Sequence, residues 1–384
     1  MKLEFHKRYI GLYIFALVLP LPIPLIYSAI ALGLMLLNLI FLGDFKKINI
    51  KNWTVLCILF VLIDGIRSLF FEQSFKGIDS VKLAFLIVPL AFQITKIESP
   101  KVYRKLLQLF TIGVGVYIFY AIGYLFYFYI KYAKWYTFSF TDHYVIYVLY
   151  NYLPGAYHHT YIGLYIAFAL VILMDEVKRS FKRSVKVILT ILLFLFFLMQ
   201  FYVGSKMTMI LSFFGLLFYL LISGLNRKSF YQLLGGSIVL FLGFVFLIKD
   251  WLILSITNSV AHRLIYTKKS LELIKENFWF GIGGNHIKDY QLLIDDNIKP
   301  LIPHNLYIHE LLANGILGLI LILIMLGFLL RKSFTTNNFI LATLTVICIL
   351  LSLTEDFLYL QRGVFFFVFF TSLLLSNKLN YKEK

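Results

Sequence analysis

The sequence predicts an all-α polytopic integral membrane protein of about twelve transmembrane helices, and three observations carry that expectation. Sixty per cent of the 384 residues are apolar and only 14% are charged, against about 25% charged in a soluble domain. Mean hydropathy is +0.85, so the chain could not cover its surface with polar groups in water. The apolar residues run continuously rather than alternating, which excludes a transmembrane β-barrel. At ~20 residues per spanning helix, twelve spans use roughly 240 residues and leave room for short loops.

Taken in order, the expected spans are 9–20, 24–42, 53–71, 80–95, 106–130, 160–174, 186–203, 206–223, 231–249, 306–330, 338–353 and 361–376. The first follows Lys2, Lys7 and Arg8 with no A-x-A-like cleavage site behind it, and reads as an uncleaved span rather than a signal peptide. The first two are parted only by Leu21-Pro22-Ile23. With the N-terminus inside, every expected cytoplasmic segment is basic, from Lys46-Lys47 and Arg104-Lys105 to Lys178-Arg179 and Arg331-Lys332. Together these segments hold 22 of the 36 Lys and Arg residues. A single kinked helix across 9–42 would leave eleven spans and destroy this positive-inside pattern. Both termini are therefore placed in the cytoplasm. The net charge of +17 reports topology and not a nucleic-acid partner.

The whole chain, 1–384, reads as one transmembrane domain, with two longer outward segments. Segment 131–159 is rich in Tyr and His, and 250–305 is the largest polar stretch. Within the second, Val260, Leu264, Leu271, Ile274 and Phe278 fall at helical spacing and predict an amphipathic helix. Gly281-Ile282-Gly283-Gly284 follows as a candidate anion nest. A polar run with Asp289, Asp295 and Asp296 then leads to Pro303-His304-Asn305. Trp53, Trp135 and Trp251 near span ends suit an interfacial belt. Cys57 and Cys348 lie inside apolar runs, which leaves no disulfide framework and no CxxC metal site.

Polar chemistry gathers on the outward face: seven of eight histidines, Lys206, Arg263, Arg362 and the pair Glu355-Asp356. Asn305 predicts an N-cap for a helix starting at Leu306. His304 beside it either anchors that helix end or acts as a general base, kept neutral by the positive end of the helix dipole. Arg263 suits bidentate grip on a phosphate or a solvated helix face. Lys206, in the turn Gly204-Ser205-Lys206, meets a lipid-linked anion or snorkels. Arg362 opens the last span, with a structural ion pair to Glu355-Asp356 as its plainer reading. His158-His159 has no fixed third metal ligand, and His309-Glu310 lacks the second histidine of a zinc-protease motif, since position 313 is Ala. Asp64 and Arg67, three apart in an apolar span, predict a mutually neutralising pair.

Over 200–376 these pieces, in order, resemble the O-antigen ligase and O-antigen polymerase family. They are Gly204-Ser205-Lys206, where the family has Ser-Arg; Arg263 to Phe280 running into Gly281-Ile282-Gly283; Pro303-His304-Asn305-Leu306-Tyr307; Gly315-Ile316-Leu317-Gly318; Leu353-Thr354-Glu355-Asp356; and Gln361-Arg362-Gly363. His159-Thr160-Tyr161 is a further similar segment. The resemblance implies a GT-C-like, metal-independent, inverting glycosyltransferase without cofactor. Such an enzyme moves a glycan from a polyprenyl diphosphate onto a hydroxyl of a lipid or glycan acceptor, at the periplasmic face of a bacterial inner membrane. By the same resemblance His304 is the catalytic base and Arg263, Lys206 and Arg362 hold the diphosphate, while Asn305, Glu355, His159 and Tyr161 support them. Ligase-like transfer is the first reading and polymerase the second. A flippase or transporter of lipid-linked oligosaccharide is the alternative of another class; it expects inverted repeats and midplane charge, and no repeat is visible.

Overall fold

A computed structural model gives the structure. It describes residues 9–42, 52–71, 80–95, 97, 99–132, 148–149, 151–203, 205–224, 263–264, 266–283, 287 and 303–376. Among them there is no strand. Among the described residues the bounded apolar helices are α1 (Ile10–Val18), α2 (Leu25–Leu42), α3 (Asn52–Phe71), α4 (Ala84–Thr95), α5 (Pro100–Lys131), α6 (His159–Arg179), α7 (Arg183–Val203), α8 (Lys206–Ile222), α9 (Leu306–Thr335), α10 (Phe339–Leu351) and α11 (Gln361–Ser376). Each coincides with an expected span; the expected span 231–249, most of 131–159 and most of 250–305 lie outside the described residues. The protein is an all-helical membrane protein, and α5, α6, α7 and α9 are long and apolar enough to cross a bilayer.

Short polar side chains set the helix starts. Ser205 accepts from Thr208 N at 3.2 Å at the head of α8. Asn305 accepts from Tyr307 N and Ile308 N at 3.0 and 3.1 Å at the head of α9. Asn338 accepts from Leu341 N at 3.1 Å at the head of α10. Each satisfies backbone donors that a helix N-terminus leaves open. α5 instead starts on Pro100, where a missing N–H costs nothing.

The core is aromatic. Phe365, Phe366, Phe367, Phe369 and Phe370 of α11 are all buried. They meet Phe15 of α1, Phe92 of α4, Phe110 of α5 and Phe168 of α6 in tilted and edge-on contacts, the geometries that ring quadrupoles favour. Helices α6 and α8 approach closely because Gly163 has no Cβ to overlap the Thr208 hydroxyl. Trp53, expected in an interfacial belt, is instead buried, with its indole N–H on Ser372 Oγ at 3.1 Å. The reason is its partner: a buried indole needs an acceptor, and α11 supplies one.

Helix α9 is broken at Gly315, whose φ of 65° and ψ of −162° fall in a region open essentially to glycine alone. The stretch 281–283 repairs the break. Ile282 N donates to Leu312 O at 2.7 Å, Gly283 N to Ala313 O at 3.1 Å, and Ile316 N to Phe278 O at 2.9 Å. The expected anion nest is thereby corrected. The N–H groups of Gly281, Ile282 and Gly283 are spent on backbone carbonyls, because a helix break in an apolar bundle must find internal partners.

A second correction concerns Asp64 and Arg67 of α3. Asp64 pairs with Lys82 Nζ at 3.0 Å, and Arg67 Nε donates to Phe280 O at 3.1 Å. Each charge faces a different neighbour, one on the turn before α4 and one on the segment docked at the α9 break. The predicted amphipathic helix is present at 266–276, but its expected apolar stripe divides. Ile274 turns inward against Ile282, Leu312 and Ala313, whereas Leu264, Leu271 and Phe278 remain exposed.

Candidate active site

The predicted site residues converge at the mouth of α9. His304 precedes the Asn305 cap, and its Nδ1 lies 3.4 Å from Glu355 Oε2. Arg263 Nη2 lies 3.3 Å from Glu355 Oε1, and its Nη1 donates to Thr354 O at 2.8 Å. Glu355 thus holds a histidine with one oxygen and an arginine with the other. The loop that carries it, between α10 and α11, is pinned to the α9 mouth by Asn305 Nδ2 donating to Leu353 O at 3.0 Å and Leu306 N donating to Ser352 O at 2.8 Å. Asn305 therefore caps the helix and positions the carboxylate loop together.

The site is graded in exposure. Glu355 and Asp356 are buried, while the side chains of His304 and Arg263 are about one-third open. An imidazole next to a carboxylate is favoured as imidazolium. The Glu355 carboxylate accordingly raises the His304 pKa above its ordinary 6.5, with partial burial opposing. The expectation of a ring kept neutral by the helix dipole is thus corrected, since a carboxylate in contact outweighs partial charges at a helix end. Of the two ring nitrogens, Nδ1 is the one beside Glu355.

Lys206 opens α8, and Arg263 stands close enough for the two cations to repel. His159 opens α6, stacked on His158 with ring centroids 4.3 Å apart. It lies within electrostatic range of Lys206, Arg263 and Glu355. Tyr161, buried in the first turn of α6, feels Asp356 and Glu355. Its ring fills the space that a side chain at Gly363 would need.

Arg362 stands apart from this group. It is buried, its guanidinium donating to Leu19 O at 3.0 Å and Ile23 O at 2.6 Å and lying 3.7 Å from the centre of the Tyr157 ring. It clamps the α1–α2 turn to the head of α11, and meets neither a carboxylate of the Glu355-Asp356 pair nor the cations of the cluster. The carbonyls of Leu19 and Ile23 lie at the break between α1 and α2, and Arg362 satisfies them.

Sequence reasoning missed the layer beneath. His309 Nδ1 lies 3.1 Å from Asp356 Oδ2, and its ring stacks on Tyr359 at 3.4 Å. Lys82 Nζ sits 4.3 Å from the Tyr359 ring centre, 3.0 Å from Asp64 and 3.9 Å from Glu310. Glu310 in turn accepts from Asn314 Nδ2 at 2.9 Å. The available signal was Glu310 inside an apolar span with Asn314 four residues on, since charge in such a span demands a partner. Ligand atoms of His304, Glu355 and Asp356 lie within 4.8 Å of one another, a spacing that a metal ion could use. The Arg263 guanidinium on Glu355 already supplies positive charge there.

Fold and site together define an all-helical membrane protein with a histidine–carboxylate–arginine cluster at one end of its bundle. Residues 189–323 match the family described as O-antigen ligase. That match supports an O-antigen ligase/polymerase assignment, and the matched region contains Lys206, Arg263, His304 and Asn305. His159, Tyr161, Glu355 and Arg362 lie outside it. No curated protein matches the chain.

Proposed function

We propose that the protein is a membrane glycosyltransferase of the O-antigen ligase type, which moves a glycan from a polyprenyl-diphosphate donor onto a hydroxyl acceptor at the periplasmic face. One observation carries the reading: a single carboxylate, Glu355, bridges His304 and Arg263. The pair couples a base to a cation at one spot. His304 Nε2 takes the proton of the acceptor hydroxyl, and Glu355 stabilises the imidazolium through Nδ1. The acceptor oxygen attacks the anomeric carbon from the face opposite the diphosphate. The new C–O bond forms as the bond to the diphosphate oxygen breaks, so the product is inverted. The unused part of the Arg263 fork and Lys206 neutralise the charge developing on the leaving diphosphate. His159 and Tyr161 line the acceptor side, and Arg362 fixes the scaffold.

The test is transfer in vesicles holding the purified protein and polyprenyl-diphosphate-linked repeat units, with EDTA present, for wild type and His304→Ala. Transfer to an added lipid-core acceptor by wild type alone supports ligase chemistry on His304. Longer lipid-linked chains without that acceptor identify a polymerase. Equal transfer by His304→Ala removes His304 as the base, and loss of wild-type transfer in EDTA removes the metal-independent mechanism. Donor crossing the bilayer unchanged replaces the transferase with a transporter.

A further inference from the structure

The segment from Arg263 to Phe280 carries a second surface, on the side turned away from the bundle. Its inward side is narrow, with Ser270 and Ile274 buried. Its outward line reads Leu264, Lys268, Leu271, Lys275 and Phe278, all exposed. Lys268, Leu271 and Lys275 share one stripe of the helix at 266–276, with Leu264 before its start and Phe278 in the turn after its end. Trp279 follows with 68% of its surface open. Leucine, lysine, leucine, lysine and phenylalanine in one row suit neither water nor a hydrocarbon core. They suit the boundary between the two, where apolar side chains enter the acyl layer and lysine stems carry their charge back to lipid phosphates.

The stripe is also continuous with a spanning helix. Ile316 N of α9 donates to Phe278 O, and the exposed face of α9 begins at once with Leu317 and Ile320. We propose that residues 263–280 form an interfacial arm. It lies in the phospholipid headgroup layer on the active-site side, with Leu264, Leu271, Phe278 and Trp279 at the acyl boundary and Lys268 and Lys275 on anionic headgroups. If transfer proceeds as proposed above, the arm holds Arg263 at the depth of a lipid-linked diphosphate; the surface itself requires no transfer chemistry.

The test uses the full chain in vesicles of phosphatidylcholine and phosphatidylglycerol, without any glycan donor. The Trp279 signal is the difference in emission between wild type and Trp279→Phe. A side chain seated ~5–10 Å into the boundary loses about half its emission to phospholipids brominated high in the acyl chain, and little to aqueous iodide. Brominated phosphatidylglycerol quenches more than brominated phosphatidylcholine, and K268Q/K275Q abolishes that excess. Leu271→Trp in the Trp279→Phe background reports the same depth from a second position. Quenching by iodide with none by bromolipid puts the arm in water and overturns the proposal. Quenching by neither puts the face under protein, such as a second copy, and overturns it equally.

Discussion

Glu355 Oε2 stands 3.4 Å from His304 Nδ1, and this contact raises the basicity of the ring. The carboxylate raises the pKa of the imidazole, so His304 is a stronger base than an isolated histidine.

Replacing Glu355 with Gln keeps the shape and removes the charge. Transfer is expected to fall about 10²- to 10³-fold in kcat, the range for loss of an oriented general base. The base must be neutral to act, so activity rises with pH through the His304 pKa. In wild type that limb lies above the ordinary 6.5, and in Glu355→Gln it moves down. The stability linkage has the matching sign. A pKa raised by folding stabilises the fold fully below the unfolded pKa, and that gain is lost as pH rises through the folded pKa. The gap in thermal stability between the two proteins should therefore be widest in acid and narrow above neutrality, down to a remainder from Arg263. An acid limb that does not move shows that another group titrates.

Arg362 is expected to behave as a clamp. Arg362→Ala leaves the carbonyls of Leu19 and Ile23 buried without their donors, at about 1–3 kcal/mol each. Melting temperature in detergent and yield should fall, while KM for donor in the surviving protein stays within about twofold of wild type, since no interaction common to substrate and transition state is removed. A large rise in donor KM with unchanged melting would make Arg362 a phosphate ligand after all.

Gly315 and Gly327 lie in the same helix and should respond in opposite senses to alanine. A Cβ at Gly315 overlaps the Trp279 carbonyl, and the residue already has φ of 65°. A Cβ at Gly327 meets nothing. Gly315→Ala should cost at least about 1–3 kcal/mol from backbone strain alone. It should also free the 277–283 segment, seen as faster proteolytic cleavage there. Gly327→Ala should be neutral or stabilising by up to ~1 kcal/mol. Equal tolerance at both positions would mean that the α9 break is not held by that contact.

These differences mark where the sequence is legible. Hydropathy located α1 to α11 because an apolar helix is written in consecutive residues. The capping role of Asn305 was equally legible, since a cap and its donors are two or three residues apart. The partners of Arg362 were not, because the carbonyl of Leu19 is 343 residues away and any carbonyl looks alike in sequence. Asp64 and Arg67 were paired on spacing alone, yet the better partner of Asp64 came from the next segment. At the site, the resemblance brought His304, Arg263 and Glu355 to notice. It did not show that one carboxylate joins the other two, nor that His309 and Asp356 lie beneath them.

That lower layer yields the last prediction. Lys82 is buried beside Asp64 and Glu310, and it lies over Tyr359, which stacks on the His309 that holds Asp356. Lys82→Met keeps the apolar stem and strips the cation from two buried carboxylates. Breaking such a pair from one side costs roughly 3–5 kcal/mol, because a buried charge is left uncompensated. Thermal unfolding in detergent should shift down accordingly. Asp64→Asn added to Lys82→Met should recover more than half of the loss, since the second change removes the stranded charge. Transfer should fall with the single substitution even where the protein stays folded, because Tyr359 loses its cation and His309 its platform, which loosens Asp356 one residue from Glu355. If Lys82→Met melts with wild type, the cation carries no charge-balancing role. If the double variant melts below the single one, the cost lies in packing around the Lys82 stem and not in the charge of Asp64.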